Sequence, residues 1–281
     1  METIGGGKGP EATELLERGE LVVLPVAPFP LPSEDDHSFL LEQKAGGLGR
    51  KHICFDPHTS RLTGCRCRDM QHESRLRDIL SGFHRAVTSW VEESLPSYRS
   101  GLQVDRTTFR PDEEATRRLR PHARNDLLHV DAFPGRPARG RRILRVFVNI
   151  HPTEERVWAT SEPLPAILER YSDRFRHSTA GWFHELGARL FSAFQPDEQR
   201  PDPSDLYMLR LHDFLKNDMD FQQRGPRRLW RFPPGSAWMA MTDACTYAEL
   251  RGRFAMEQSF FVSQKVLQYP ELAPARLLSA A

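Results

Sequence analysis

The sequence predicts one mixed α+β domain built on a β core. Three observations carry this. Stretches with β character fall in two groups, one ending near residue 152 and one starting near residue 228. Between them, residues 163–222 repeat apolar side chains at three and four, the period of a helix. A separate helical pattern precedes the first long strand, and no internal repeat is visible.

Taken in order, "METIGGGKGP" has no apolar stretch and reads as part of a flexible tail, residues 1–14. Residues 21–26 form a short buried strand that runs into a proline-rich turn. Residues 70–95 form an amphipathic helix, with Leu76, Ile79, Leu80, Phe83, Val87, Trp90 and Val91 on one face and Pro96 at its end. "RTTFRP", 106–111, is a strand, and the charged run "RPDEEATRRLRPHARND" after it is a loop.

"RRILRVFVNIHP", 141–152, is β-branched and stops at Pro152. Alternation puts Leu144, Val146, Val148 and Ile150 on one face, and Arg145, Phe147 and Asn149 on the other. Three helical segments follow: "LPAILERYSDRF", "AGWFHELGARLFSAF" and "SDLYMLRLHDFLKND". "RLWRFPPGSAWMAMTD" and "RFAMEQSFFV" return to β, with a turn at Pro233-Pro234-Gly235. The expected layout is a single domain over 15–270, a helical insert at about 160–225, and a C-terminal tail at 271–281.

The 281 residues are 39% hydrophobic, enough for a core, and the formal charge of +1 gives no global attraction to nucleic acid. Cys54, Cys65, Cys67 and Cys245 are too few and too irregular for a disulfide framework, and "GCRCRD" has no second pair to complete a zinc site. A reduced, cytoplasmic setting is expected. No secretory signal and no spanning apolar run is read, so membrane contact is at most peripheral.

"LLHVDAFPGRP", 127–137, carries the chemistry. In an extended chain His129 and Asp131 point the same way, and an imidazole and a carboxylate so placed can take adjacent positions on one metal ion. Two histidines and a carboxylate form the facial triad of non-haem Fe(II) oxygenases. The same spacing also suits a hydrogen-bonded pair at a strand end. Arg145 lies inside an apolar strand, and a buried guanidinium needs an anion. A cosubstrate carboxylate or an internal Asp or Glu would each serve.

Together, "LHVDAFPGRPARGRRILRVFVNIHP", "YMLRLHDFLKND", "FPPGSAWMAMTD" and "MEQSFFV" resemble the Kdo 3-hydroxylase family, over about residues 15–270. The resemblance implies a double-stranded β-helix, a jelly-roll or cupin-like core, with N-terminal helices and a helical insert. It implies Fe(II), 2-oxoglutarate as cosubstrate and O₂, acting on an anionic sugar acid or glycolipid of the lipopolysaccharide inner core. By position, His129 and Asp131 become iron ligands and Arg145 becomes the cosubstrate anchor, with Asn149, on the same strand face, as a second expected cosubstrate contact.

The family's distal histidine corresponds to Tyr247 in "MTDACTYAELRG". If 243–247 is extended, Asp243 and Cys245 share its face and are conceivable substitutes. The expectation is an oxygenase with a His-Asp-Tyr site, or with a site of two protein ligands only. An altered chemistry and an inactive sugar- or anion-binding homologue are the other readings. Arg106, Arg110 and Arg136, the last opening the basic run "RPARGRR", are candidate substrate contacts. A membrane-embedded substrate would be met at the inner face of the inner membrane.

Overall fold

The computed structural model describes residues 7–46, 51–113, 120–178 and 200–278. Its centre is a pair of antiparallel sheets. In chain order the strands are β1 (Val22–Leu24), β2 (Ile53–Asp56), β3 (Arg61–Thr63), β4 (Leu102–Arg110), β5 (Arg142–Asn149), β6 (Arg156–Pro163), β7 (Arg228–Phe232), β8 (Ala237–Met241), β9 (Cys245–Arg251) and β10 (Ala255–Val262). The large sheet runs β1-β8-β5-β10-β4-β2-β3, and the small one β7-β6-β9. His129 extends the small sheet through a bridge to Tyr247.

Strand β5 shows why the two sheets close on each other. All eight of its residues are buried, so both faces must be apolar or paired. Leu144, Val146, Val148 and Ile150 face the large cluster that helix α3 (Met70–Ser94) covers. Phe147 faces the other way, into an aromatic cluster between the sheets. There Phe232 stacks on Trp238 at 3.8 Å, and Trp158 meets Phe147 edge-on at 4.8 Å. The predicted alternation is therefore observed. Gly235, at φ +77°, makes the turn from β7 to β8, a conformation that costs glycine no Cβ clash.

The helical insert comprises α4 (Leu164–Arg176), α5 (Pro203–Asn217) and α6 (Met219–Arg224). Asp202 starts α5 with a capping box to Asp205. A third cluster, including Leu128, Val130, Ile167, Leu211 and Phe214, seats this insert against the small sheet. The segment "AGWFHELGARLFSAF" and part of the charged loop lie outside the described residues.

Several expectations need correction. The N-terminal tail is shorter than 1–14, because helix α1 (Gly9–Glu17) buries Ala12 and Leu16, a pair spaced by one helical turn. The C-terminal segment is also seated: Ala273 and Pro274 are buried, and Leu277 and Leu278 pack on the insert cluster. Helix α2 (Glu34–Leu41), the β2–β3 hairpin and β6 were not anticipated. Strand β6 escapes an alternation search because its first five residues are all buried.

Leu144 is fully buried in the large cluster. Leu144→Ala should cost about 2–5 kcal/mol through lost burial and the cavity left behind. Urea unfolding followed by tryptophan fluorescence would read this as a fall in midpoint at constant slope.

Candidate active site

The His-x-Asp segment is pinned by backbone, not by a long strand. The His129 N–H donates to the Tyr247 carbonyl at 3.0 Å, and the Tyr247 N–H donates back to the His129 carbonyl at 2.9 Å. The Asp131 N–H donates to the Thr242 carbonyl at 2.7 Å. This register brings the three side chains to one wall of a cavity of about 580 Å³.

His129 Nδ1 lies 2.7 Å from the Leu127 carbonyl oxygen, which can only accept. The proton therefore sits on Nδ1, and Nε2 offers its lone pair towards the Asp131 carboxylate, 3.9 Å away. Burial, with Lys216 and His212 nearby, holds His129 well below the usual histidine range, so the ring is neutral.

Asp131 accepts an ion pair from Arg145 at 3.2 Å. The Tyr247 hydroxyl also reaches both of its oxygens, each at 3.2 Å. Burial and the neighbouring Asp131 charge push the Tyr247 phenol well above its ordinary range, so it stays protonated and acts as a donor.

Arg145 continues inward to Glu257 at 3.3 Å. Glu257 also pairs with Arg110 at 2.6 Å, Arg110 with Glu249 at 2.9 Å, and Glu249 with Arg156. Burial disfavours the Glu257 charge, but Arg145 and Arg110 outweigh it and draw the carboxyl down to about 2. Burial likewise opposes the Arg145 charge, which Asp131 and Glu257 more than restore. Arg145 thus lines the cavity and is held by two protein carboxylates, the internal partners that one reading of its buried charge expects.

The other expected residues divide. Arg106 lines the cavity, and Arg110 lines it while tied into the ion-pair chain. Arg136 lines it too, paired with Asp105 and stacked 4.5 Å over Phe133. Two more arginines of the basic run are structural: Arg142 is buried on Asp243, and Arg141 donates to the Ala138 carbonyl. Asn149 does not reach the cavity. Its amide donates to the Glu154 and Phe232 carbonyls, because the strand ends there and those groups need a partner. Asp243 is held by Arg142, and Cys245 is buried in the aromatic cluster, so neither substitutes for Tyr247.

Three further residues line the cavity: Glu257 and Lys216, which no local pattern marks, and His212 of the "LRLHD" stretch, which was not expected to be the third ligand. The register opposite β5 puts Glu257 across from Phe147, on the face of Arg145. His212 and Lys216, spaced by four, present one helix face to the cavity. His212 Nδ1 lies 2.7 Å from the Val130 carbonyl, and the His212 ring is 5.1 Å from the His129 ring.

Two donors, a neutral imidazole nitrogen and a carboxylate, stand within the span of two metal–ligand bonds of about 2.1 Å. These residues fit a divalent ion held by two protein groups. Among the described residues, no cluster of three His, Cys, Asp or Glu side chains stands ready for a metal.

A double-stranded β-helix with a His-x-Asp pair and an arginine at one inner wall is the architecture of the non-haem iron oxygenases. The model of the 3-deoxy-D-manno-oct-2-ulosonic acid (Kdo) hydroxylase family matches residues 7–281, and the chain belongs to that family. It is similar to the crystal structure of the Kdo hydroxylase KdoO, a non-heme Fe(II) alphaketoglutarate-dependent dioxygenase, in complex with cobalt(II). The identity is 32% over 96% of this chain and 88% of that one, with a TM-score of 0.85. The KdoO complex with alphaketoglutarate and Fe(III) matches at 31% identity, the same coverage and a TM-score of 0.83. No curated protein matches the chain. Among the described residues, no helix is long and apolar enough to cross a membrane.

The Glu257 carboxyl gives a pH signature. Its folded value lies below its ordinary one, so its stabilisation is full above about 4.5 and is lost as pH falls towards 2. Glu257→Gln should therefore lower stability at pH 7 by roughly 3 kcal/mol. The gap to the parent should narrow below about pH 4.5 and close towards pH 2 in urea titrations at stepped pH.

Proposed function

We propose that this protein is an Fe(II)- and 2-oxoglutarate-dependent oxygenase that hydroxylates a Kdo-type sugar acid. The observation that carries the reading is the placement of His129 Nε2 and the Asp131 carboxylate together on the wall of a cavity, in a chain of the Kdo hydroxylase family. With iron bound, 2-oxoglutarate and O₂ supply the oxidation: one oxygen atom leaves in succinate as CO₂ is lost, and the other enters a C–H bond of the sugar.

The chain's part is to hold and orient. His129 binds through Nε2, kept in the right tautomer by the Leu127 carbonyl. Asp131 binds through its carboxylate. Arg145 would orient the cosubstrate: a metal sharing the Asp131 carboxylate would weaken its pull on the guanidinium, whose N–H groups could then also bind a cosubstrate carboxylate. Glu257 keeps Arg145 and Arg110 side by side throughout. Trp158 and the Tyr247 ring close the inner wall against water.

The outer part of the cavity carries Lys51, Arg106 and Arg136, all half-buried. Three cations around one opening suit a substrate with a carboxylate, and a lipopolysaccharide core sugar would add phosphates of the same sign. The acceptor is therefore an anionic sugar, free or at the surface of a cytoplasmic membrane leaflet.

Succinate release, measured with Fe(II), 2-oxoglutarate and Kdo, tests the assignment. His129→Ala should abolish it. Arg136→Ala should raise the KM for the sugar roughly tenfold, the loss of one charge-assisted hydrogen bond. Acceptor-independent succinate release should stay within about twofold in that variant, since Arg136 does not orient the cosubstrate. Metal-loaded protein that binds Kdo and releases no succinate would make the chain a binding module instead.

A further inference from the structure

Tyr247 stands where a third metal ligand is expected, yet its hydroxyl is directed elsewhere. The backbone bridge fixes its Cα opposite His129. Its ring is 1% exposed and wedged on both sides, 4.7 Å from the His129 ring and stacked 4.7 Å from Trp158 at 21°. That packing leaves the ring one orientation, and in it the hydroxyl meets both Asp131 oxygens at 3.2 Å. A phenol has a single proton to give, and the nearest anionic acceptor takes it.

Arg145 reaches Asp131 as well, so the carboxylate is fixed by two donors before any metal arrives. Hydrogen bonds of this kind to a ligating carboxylate set its orientation and the affinity of the site.

We propose that Tyr247 is a positioning residue that clamps Asp131 through its hydroxyl. The metal is then held by two protein side chains, His129 and Asp131, and the third protein position is filled by water. The proposal rests on the metal-binding reading above and narrows it: the site is a two-ligand centre with a phenol clamp, not a three-ligand centre with tyrosine in it. The size of a histidine ring matters here. An imidazole at 247 is shorter than a phenol, so its nitrogen would stop short of Asp131 and face the metal position directly.

The test uses full-length protein, with Co(II) as a probe that binds without turnover and Fe(III) as a probe of phenolate ligation. Anaerobic calorimetry should give a measurable Co(II) affinity for the parent and none for His129→Ala. Tyr247→Phe, which keeps the ring and removes the clamp, should weaken Co(II) roughly 10-fold or more. Tyr247→His, which supplies a third nitrogen, should tighten it by a similar factor. The Fe(III)-loaded parent should show no phenolate-to-iron charge-transfer band in the visible.

A visible band in the parent that disappears in Tyr247→Phe would overturn the proposal and make tyrosine a ligand. Equal Co(II) affinity in the parent and both Tyr247 variants would overturn it as well. Co(II) binding that survives in His129→Ala would instead sink the metal-site reading itself, whatever Tyr247 does. Thermal unfolding of each variant without metal separates a loss of fold from a loss of affinity.

Discussion

Six buried charges between the two sheets have to neutralise one another, and much of the architecture follows from that constraint. Asp131, Arg145, Glu257, Arg110, Glu249 and Arg156 form one chain of ion pairs, all nearly excluded from solvent. Breaking a buried pair by removing one partner leaves an uncompensated charge, at about 3–5 kcal/mol. The chain therefore ties the His-x-Asp segment and strands β4, β5, β6, β9 and β10 to a single arrangement. Three positive and three negative groups balance, so the closed end is neutral before anything binds. A divalent cation and a dianionic cosubstrate entering together preserve that balance, whereas either one alone upsets it.

The same constraint explains the division of labour among the arginines. Arg110 and Arg156 are committed to protein carboxylates deep between the sheets. Arg145 is shared between Glu257, at 3.3 Å and itself tied to Arg110, and Asp131, at 3.2 Å; under the proposed function it is the Asp131 link that would be exchanged. The outer cations Arg106 and Arg136 belong to a different regime, half in solvent, where charge steers and selects more than it stabilises.

How much of this was legible in the sequence follows from the range of each signal. His129, Asp131 and Arg145 sit in short local patterns, a two-residue spacing and a charged residue in an apolar strand, and all three reach the cavity. Alternation along β5 gave the right faces because one face packs wholly into the large apolar cluster. Asn149 shares the face of Arg145 but lies at the strand's end, where unpaired carbonyls claimed its amide; alternation gives direction and not depth. Glu257, Glu249 and His212 acquire meaning only through pairing with residues more than 80 positions away in sequence. The Tyr247 substitution was visible in the sequence, but the geometry of its hydroxyl was not, since that depends on Trp158 and His129 holding the ring.

Glu17 ties helix α1 to residues about 250 positions further along the chain. Its carboxylate, 1% exposed at the end of α1, accepts from the Tyr98 hydroxyl and from the backbone N–H groups of Gln268 and Tyr269. Nearby, β1 completes the edge of the large sheet by pairing with β8. A ribosome delivers residue 17 long before residue 269, at about 5–20 residues per second. For that interval, of order ten seconds or more, the first helix carries a carboxylate whose native partners have not yet been made. The nascent chain cannot finish folding from its N-terminus forward. A polypeptide stalled or cleaved before residue 268 keeps strands β1 to β10 but leaves the buried Glu17 carboxylate short of two backbone donors, an unsatisfied charge for quality control to find.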